Sequence, residues 1–478
     1  MIFSSIEFLV FGLAFFIIYW NTGFVYRKYV ILFANVVFYF FTSVKALFIL
    51  FFICLFSYRA AFILEKYRDR NNYIYIYIYI LSIAICVFPL MFYKCSDYIV
   101  MFIDGLTNSD INITEIAIPI GISFYTFEAL SYLIDVKKKK IEPEKDLVYY
   151  VCYLSFFPTV LSGPIEKCNS VVSQLKEKKK FNYNIISYGL KLFAVGLYKK
   201  LVIADNINIY IDSAFNDVYS YKGFSLLIVI ILYTIQIYAD FSGYSDMAKG
   251  YAMMLGIDIK QNFDHPYLSV SIKEFWNKWH ISLGLWLKEY IYLPLGGNKK
   301  GKYRTYLNIL VVFIISGLWH GKTINCLVWG LIHGILQIVE RFFNLEKHKK
   351  KNYSLLRNCI LLIIISLTWV LFRCNSLSDT IYIINPSNIL YGFNGKPLYW
   401  YVQKGFFDLG LNNRTIPLMF ASIIIFIFYD VVSAKIDLIE KISKKSLVKR
   451  WFVYIAFCLL IIFMMPITRQ TKFLYFNY

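Results

Sequence analysis

Charge is scarce in this chain. Only 17% of its 478 residues are Asp, Glu, Lys or Arg, against about 25% in soluble domains. Hydrophobic residues make up 59% and aromatic residues 20%. That balance excludes a soluble enzyme, a disordered scaffold and a small secreted disulfide domain. Cysteine is present but unpatterned. The nine cysteines form no C-x-x-C pair, and most sit in or beside apolar runs, where a thiol packs as a small hydrophobe. Also missing are an H-E-x-x-H or i, i+4 histidine pair for zinc, a G-x-S-x-G elbow, a P-loop and a dinucleotide fingerprint. No metal site is expected. Residues 1–20 lack a basic n-region and a small-residue cleavage site, so they read as a retained first span and not as a signal peptide.

What is present is a succession of apolar runs, at 6–20, 29–43, 46–64, 73–93, 116–134, 147–161, 185–203, 223–239, 305–319, 323–339, 357–372, 415–433 and 451–467. They predict an all-α polytopic membrane protein with about 11–13 transmembrane or re-entrant helices. Alternating Tyr and Ile at 73–80 mimics a strand, but a lone strand leaves its backbone unsatisfied in lipid, so a helix reaching Tyr93 is expected. The organisation expected is N-terminal transmembrane helices at 1–115, a core with re-entrant and interfacial segments at 116–345, and C-terminal helices with an aromatic tail at 346–478.

The net charge of +20 is gathered in short basic tracts between apolar runs, which is a topology signal and not a nucleic-acid footprint. Tracts at 137–140, 176–180, 299–304 and 347–351, with Lys199 and Lys200, are expected in the cytoplasm. Loops at 94–115, 205–222 and 374–414 are expected outside. The run 147–161 is then re-entrant, and both ends of the chain lie outside.

One stretch breaks the bilayer pattern. Between Asp240 and Tyr303 no clean span occurs, yet the sequence is rich in Trp, Tyr, Gly and His, as in segments that lie at an interface or line a cavity. Four of the five histidines fall between 265 and 333. His320 is placed at the turn of a hairpin built from 305–319 and 323–339, between Gly317 and Gly321. An ionisable group at membrane depth is a functional candidate because its burial is costly, and imidazole is suited to proton transfer near neutral pH. His280 is expected on a helix behind Trp276 and Trp279, with Asn277 nearby. His333 lies between Gly330 and Gly334. A packing or interfacial role remains open for each of the three.

Taken together, DFSGYSD at 240–246, FDHPY at 263–267, EFWNKWHIS at 274–282, YLPLGGN at 292–298 and SGLWHG at 316–321 resemble the membrane-bound O-acyltransferases, in their bacterial polysaccharide branch. The resemblance implies a cytoplasmic acyl donor, an extracytoplasmic acceptor and an essential histidine deep in the fold. By motif His320 is the principal catalytic residue and His280 the second. Acetyl-CoA is the donor most consistent with the subgroup, with no permanently bound cofactor. Lys199, Lys200 and Arg304 are candidate contacts for its phosphates, although topology alone explains the same charges. Trp276, Trp279 and Asn277 are candidate substrate-binding residues.

The function implied is O-acetylation of a cell-surface polysaccharide, alginate-like or peptidoglycan, from within the cytoplasmic membrane. An extracytoplasmic SGNH-type partner would complete the transfer, and membrane lipid surrounds the chain. The terminal FLYFNY at 473–478 resembles an aromatic terminus seen in that subgroup. The resemblance makes Tyr475 a candidate acyl relay, against a plain interfacial anchor. D-alanyl transfer to teichoic acid is the nearest alternative. A glycan transporter or flippase, or a membrane scaffold, would be a different class, but no inverted repeat of the transporter type occurs.

Overall fold

The structure is a computed structural model. It describes residues 1–68, 72–107, 118–321, 323–345, 354–393, 395 and 397–466. Among the described residues there are helices and turns but no strand, as expected for backbone that must satisfy itself in lipid. Seven helices there are long and apolar enough to cross a membrane: Phe24–Thr42, Val44–Tyr67, Tyr73–Ser96, Phe224–Met254, Ser354–Arg373, Thr415–Ser433 and Leu447–Met464. The chain is a multi-pass membrane protein. The Tyr/Ile alternation at 73–80 is helical, inside Asn72–Thr107. All three segments read as loops contain helix, because Asn72–Thr107 runs past residue 94, Asp205–Asn216 fills most of 205–222, and Leu377–Ile384 and Leu398–Asp408 lie within 374–414. The tract at 347–351 and the tail at 473–478, with Tyr475, lie outside the described residues.

The chain divides into two compact units, Met1–Leu190 with Ala248–Lys260, and Lys191–Met247 with Gln261–Tyr478. In the first unit, Phe157 packs against Phe38 and Tyr251 at ring separations of 5.4 Å each, and the Tyr251 hydroxyl donates to the Gly12 carbonyl at 2.7 Å. The run at 147–161 is a broken, buried helix, Leu147–Leu154 followed by Phe157–Val160. Asp146 caps it by accepting from the Val148 N–H at 2.8 Å. At about 1.5 Å per residue it is too short to cross a bilayer.

The second unit holds the histidines. Helices Lys302–His320 and Ile324–Phe342 form the hairpin that the sequence suggests. A Cβ on Gly317 would stand 2.4 Å from the Cys326 carbonyl oxygen, and one on Gly330 would stand 2.3 Å from that of Phe313. The two backbones therefore meet directly, with glycine required at both positions. In the same unit the chain passes through a π-helix, Tyr198–Ala204, before Asp205–Asn216. Gly243 of the DFSGYSD motif lies against it, close to the Gly196 carbonyl.

Candidate active site

His320 is the last residue of Lys302–His320 and is buried. Its ring lies 4.6 Å from that of Trp319, 5.3 Å from Trp329 and 5.2 Å from Phe372. These aromatic neighbours lower the local dielectric, which strengthens any charge interaction formed there.

His280 is not on a helix, contrary to the sequence expectation. The helix Ile272–Lys278 stops, and His280 begins Ile281–Leu287 with φ 45° and ψ 54°, a left-handed conformation. Asn262 holds this break in place. Its carbonyl accepts from Ile281 N–H at 2.9 Å, while its side-chain oxygen accepts from the Ser282 N–H at 3.1 Å and the Ser282 hydroxyl at 2.7 Å. Asn262 was missed from sequence, although it immediately precedes the FDHPY motif. Phe241 meets the His280 ring edge-on at 4.8 Å, and Trp319 lies 6.1 Å away. His280 is 2% exposed and outside every candidate span, and burial pushes its imidazole down to about 3.

His280 and His320 both line a cavity of about 540 Å³, within the usual range for small-molecule sites. Lys302–His320 supplies Ile309, Val312, Phe313, Ser316 and His320 to its wall, a spacing that keeps all five on one helical face. Trp276, Asn277 and Trp279 also line it, whereas Lys199, Lys200 and Arg304 do not.

The two lysines have other partners. Lys199 Nζ lies 2.7 Å from Asp246, and Lys200 Nζ lies 2.8 Å from Asp205 and 2.7 Å from Asp240. The acids of the DFSGYSD motif thus compensate buried cations, and removing either partner would strand a charge. Arg304 is exposed in the first turn of its helix.

His333 is closed by its hydrogen bonds. Trp276 Nε1–H, which can only donate, gives its proton to His333 Nδ1 at 3.3 Å. The proton of the neutral ring is therefore on Nε2 and is donated to Thr368 Oγ1 at 3.1 Å. The Thr368 hydroxyl in turn donates to the Ile365 carbonyl at 2.8 Å. His333 orients the indole of Trp276 on the cavity wall. His265 is tied to Asp430 at 2.9 Å, and the Tyr238 hydroxyl donates to the same carboxylate oxygen at 2.6 Å.

Fold and site together define a multi-pass, all-α membrane protein that brings two buried imidazoles to one aromatic cavity. Residues 37–348 match MBOAT, the membrane-bound O-acyltransferase family. The chain belongs to that family and is an acyltransferase. It is 32% identical over 388 residues to the probable alginate O-acetylase AlgI of Pseudomonas putida, covering 79% of this chain and 78% of that protein. To the peptidoglycan O-acetyltransferase of Helicobacter pylori it is 31% identical over 394 residues, 76% of this chain and 74% of that one. A teichoic acid D-alanyltransferase of Bacillus subtilis is 28% identical over 292 residues, 59% of this chain and 69% of that protein.

Proposed function

We propose that this acyltransferase carries acetyl groups from acetyl-CoA, on the cytoplasmic side of the cytoplasmic membrane, to a cell-surface glycan, either an alginate-like exopolysaccharide or peptidoglycan. The observation that carries the reading is the pair of imidazoles, His280 and His320, on the wall of one substrate-sized cavity. His320 acts as general base. It takes the proton of an attacking hydroxyl as the new C–O bond forms and the thioester C–S bond breaks, and the proton then passes to the departing thiolate. His280, kept neutral by burial, orients the thioester. Trp276, Trp279 and Asn277 bind the acyl arm.

Outside the membrane an SGNH-type protein completes transfer to the sugar. Tyr475 serves as the acyl relay to it, so that one transfer becomes two. Acetyl transfer is favoured over D-alanyl transfer because the Pseudomonas putida and Helicobacter pylori relatives are 31–32% identical over 76–79% of this chain, whereas the Bacillus subtilis D-alanyltransferase is 28% identical over 59%.

One assay of glycan acetyl ester in cells tests the roles. His320→Ala should abolish the ester with the protein at normal membrane abundance, and a near-wild-type ester level would overturn the assignment. Tyr475→Phe keeps the ring and removes the oxygen, so acetylation at the wild-type rate in that variant would reduce the tail to an anchor. With purified protein, transfer from a D-alanyl carrier protein but not from acetyl-CoA would reverse the choice of donor.

A further inference from the structure

We infer that Lys288 and Arg341, supported by Lys273, form an anion-binding end of the cavity that takes the phosphate of a phosphopantetheine thioester. The inference rests on the reading of this cavity as the acyl-donor site. It assigns the cations to residues that none of the basic tracts contains.

The cavity is chemically one-sided. Three cations line it, Lys273, Lys288 and Arg341, and no Asp or Glu does so among the described residues. Arg341 follows Glu340 directly, yet only the arginine faces the cavity. Glu340 is buried and accepts from the Lys273 N–H at 3.1 Å. Neither Lys288 nor Arg341 has an acidic partner among the described residues, and both are exposed. Uncompensated charges of one sign on a shared concave wall add their potentials and attract a ligand of opposite sign. The arginine fork suits phosphate oxygens, and lysine adds a point charge.

Arg341 also stands at the end away from His320, with Lys273 held beside it through the Glu340 carboxylate. Contacts at Gly317 with Cys326 and at Gly330 with Phe313 set the hairpin register. His320 is therefore level with the start of Ile324–Phe342, and Arg341 is level with the start of Lys302–His320. The YLPLGGN loop is tied to that same start, because Asn308 Nδ2 donates to the Gly297 carbonyl at 3.0 Å. Tyr292 and Asn298 of that loop, with Asn344, line the cavity there. From Ile309 to His320 the wall alone runs about 16 Å along the helix. Its middle is apolar, with Ile309, Val312 and Phe313. An anionic head at Arg341 and a thioester at His320, joined by an extended pantetheine arm, match this order of surfaces.

Free CoA and a carrier protein both present a phosphopantetheine arm. Purified wild-type protein and the double variant Lys288→Gln/Arg341→Gln are compared on acetyl-CoA, on an acetylated carrier protein, and on S-acetylpantetheine, which has the thioester without phosphate. The ratio of kcat/KM for a phosphorylated donor to that for S-acetylpantetheine should fall at least about tenfold in the double variant. Arg341→Lys alone should retain most of the ratio. A fall in the acetyl-CoA arm identifies the source as CoA, and a fall confined to the carrier arm identifies it as carrier protein. Ratios unchanged in both arms overturn the proposal. If wild type transfers from no donor, the acetyl-transfer reading fails separately. Equilibrium binding of CoA and of the phosphopantetheinylated carrier protein then decides the anion site: weaker binding of either to the double variant supports it, and equal binding of both, or binding of neither to wild type, overturns it.

Discussion

A side chain at φ 45° holds a conformation that costs roughly 1–3 kcal/mol and persists only where neighbours over-determine it. His280 holds it through the Asn262 clamp. The break aims the imidazole between Phe241 and Trp319, which a continuous helix from Ile272 would not do. Burial also fixes the sign of its pH dependence. An unfolded imidazole titrates near 6.5, whereas the folded one is pushed down to about 3. Below pH 6.5 the unfolded chain gains a proton that the folded chain does not hold. The stabilising contribution is therefore complete above pH 6.5 and is lost on the way to pH 3, by at most about 1.4 kcal/mol per pH unit. Thermal melts in detergent should show wild type losing stability more steeply than His280→Gln between pH 6.5 and 4. Equal slopes would show that the ring is not held neutral.

Composition and position single out His280, His320 and His333 without ranking them, since all three are histidines in Trp- and Gly-rich surroundings; only the motif resemblance puts His320 and His280 first. The distinction depends on partners remote in the chain. Thr368 and Trp276 close His333, while His280 reaches the cavity from the break before Ile281–Leu287 and His320 from the end of Lys302–His320. The cations show the same limit more sharply. Tracts of lysine attract notice, but Lys199 and Lys200 are held by Asp246 and Asp240 of Phe224–Met254. Lys288 and Arg341 are isolated in sequence and acquire a shared surface only in the fold.

At the scale of elements, hydropathy and the need to satisfy backbone in lipid place the helices well, because both act locally. Helix ends fare worse. Phe224–Met254 continues through the DFSGYSD motif instead of stopping near 239, since its Asp240 and Asp246 find buried lysines and need not reach water. The hairpin gives the sharpest test of packing. Gly330→Ala would place a methyl 2.3 Å from the Phe313 carbonyl oxygen, an immovable backbone atom, whereas a Cβ on Gly334 would meet Leu310 Cδ1 at 3.2 Å, a side-chain atom that can move. Overpacking of the first kind costs about 1–3 kcal/mol or more. Gly330→Ala should therefore lower the melting temperature and membrane abundance clearly more than Gly334→Ala. Equal effects of the two substitutions would mean that the helices are not in direct backbone contact.

Across the whole molecule, burial of the apolar helices is graded. The most hydrophobic window of Phe224–Met254 is 78% buried and that of Leu447–Met464 only 6%, so the first is surrounded by protein and the second presents its side chains to lipid. Neither figure says which end faces the cytoplasm; that rests on charge. An excess of 50 basic over 30 acidic residues is concentrated in tracts such as 137–140 and 299–304, and basic residues near span ends are retained on the cytoplasmic side. The tract 299–304 leads into Lys302–His320 at its cation-facing end, so the donor mouth of the cavity should open to the cytoplasm. Single cysteines at Lys138, Lys302 and Asn412, in a cysteine-free background, decide the matter because all three positions are exposed. An impermeant thiol reagent applied to intact cells should label position 412 alone, and positions 138 and 302 only after permeabilisation. Labelling of 302 from outside would invert the hairpin and place the anion-binding end on the acceptor side, where a CoA thioester never arrives.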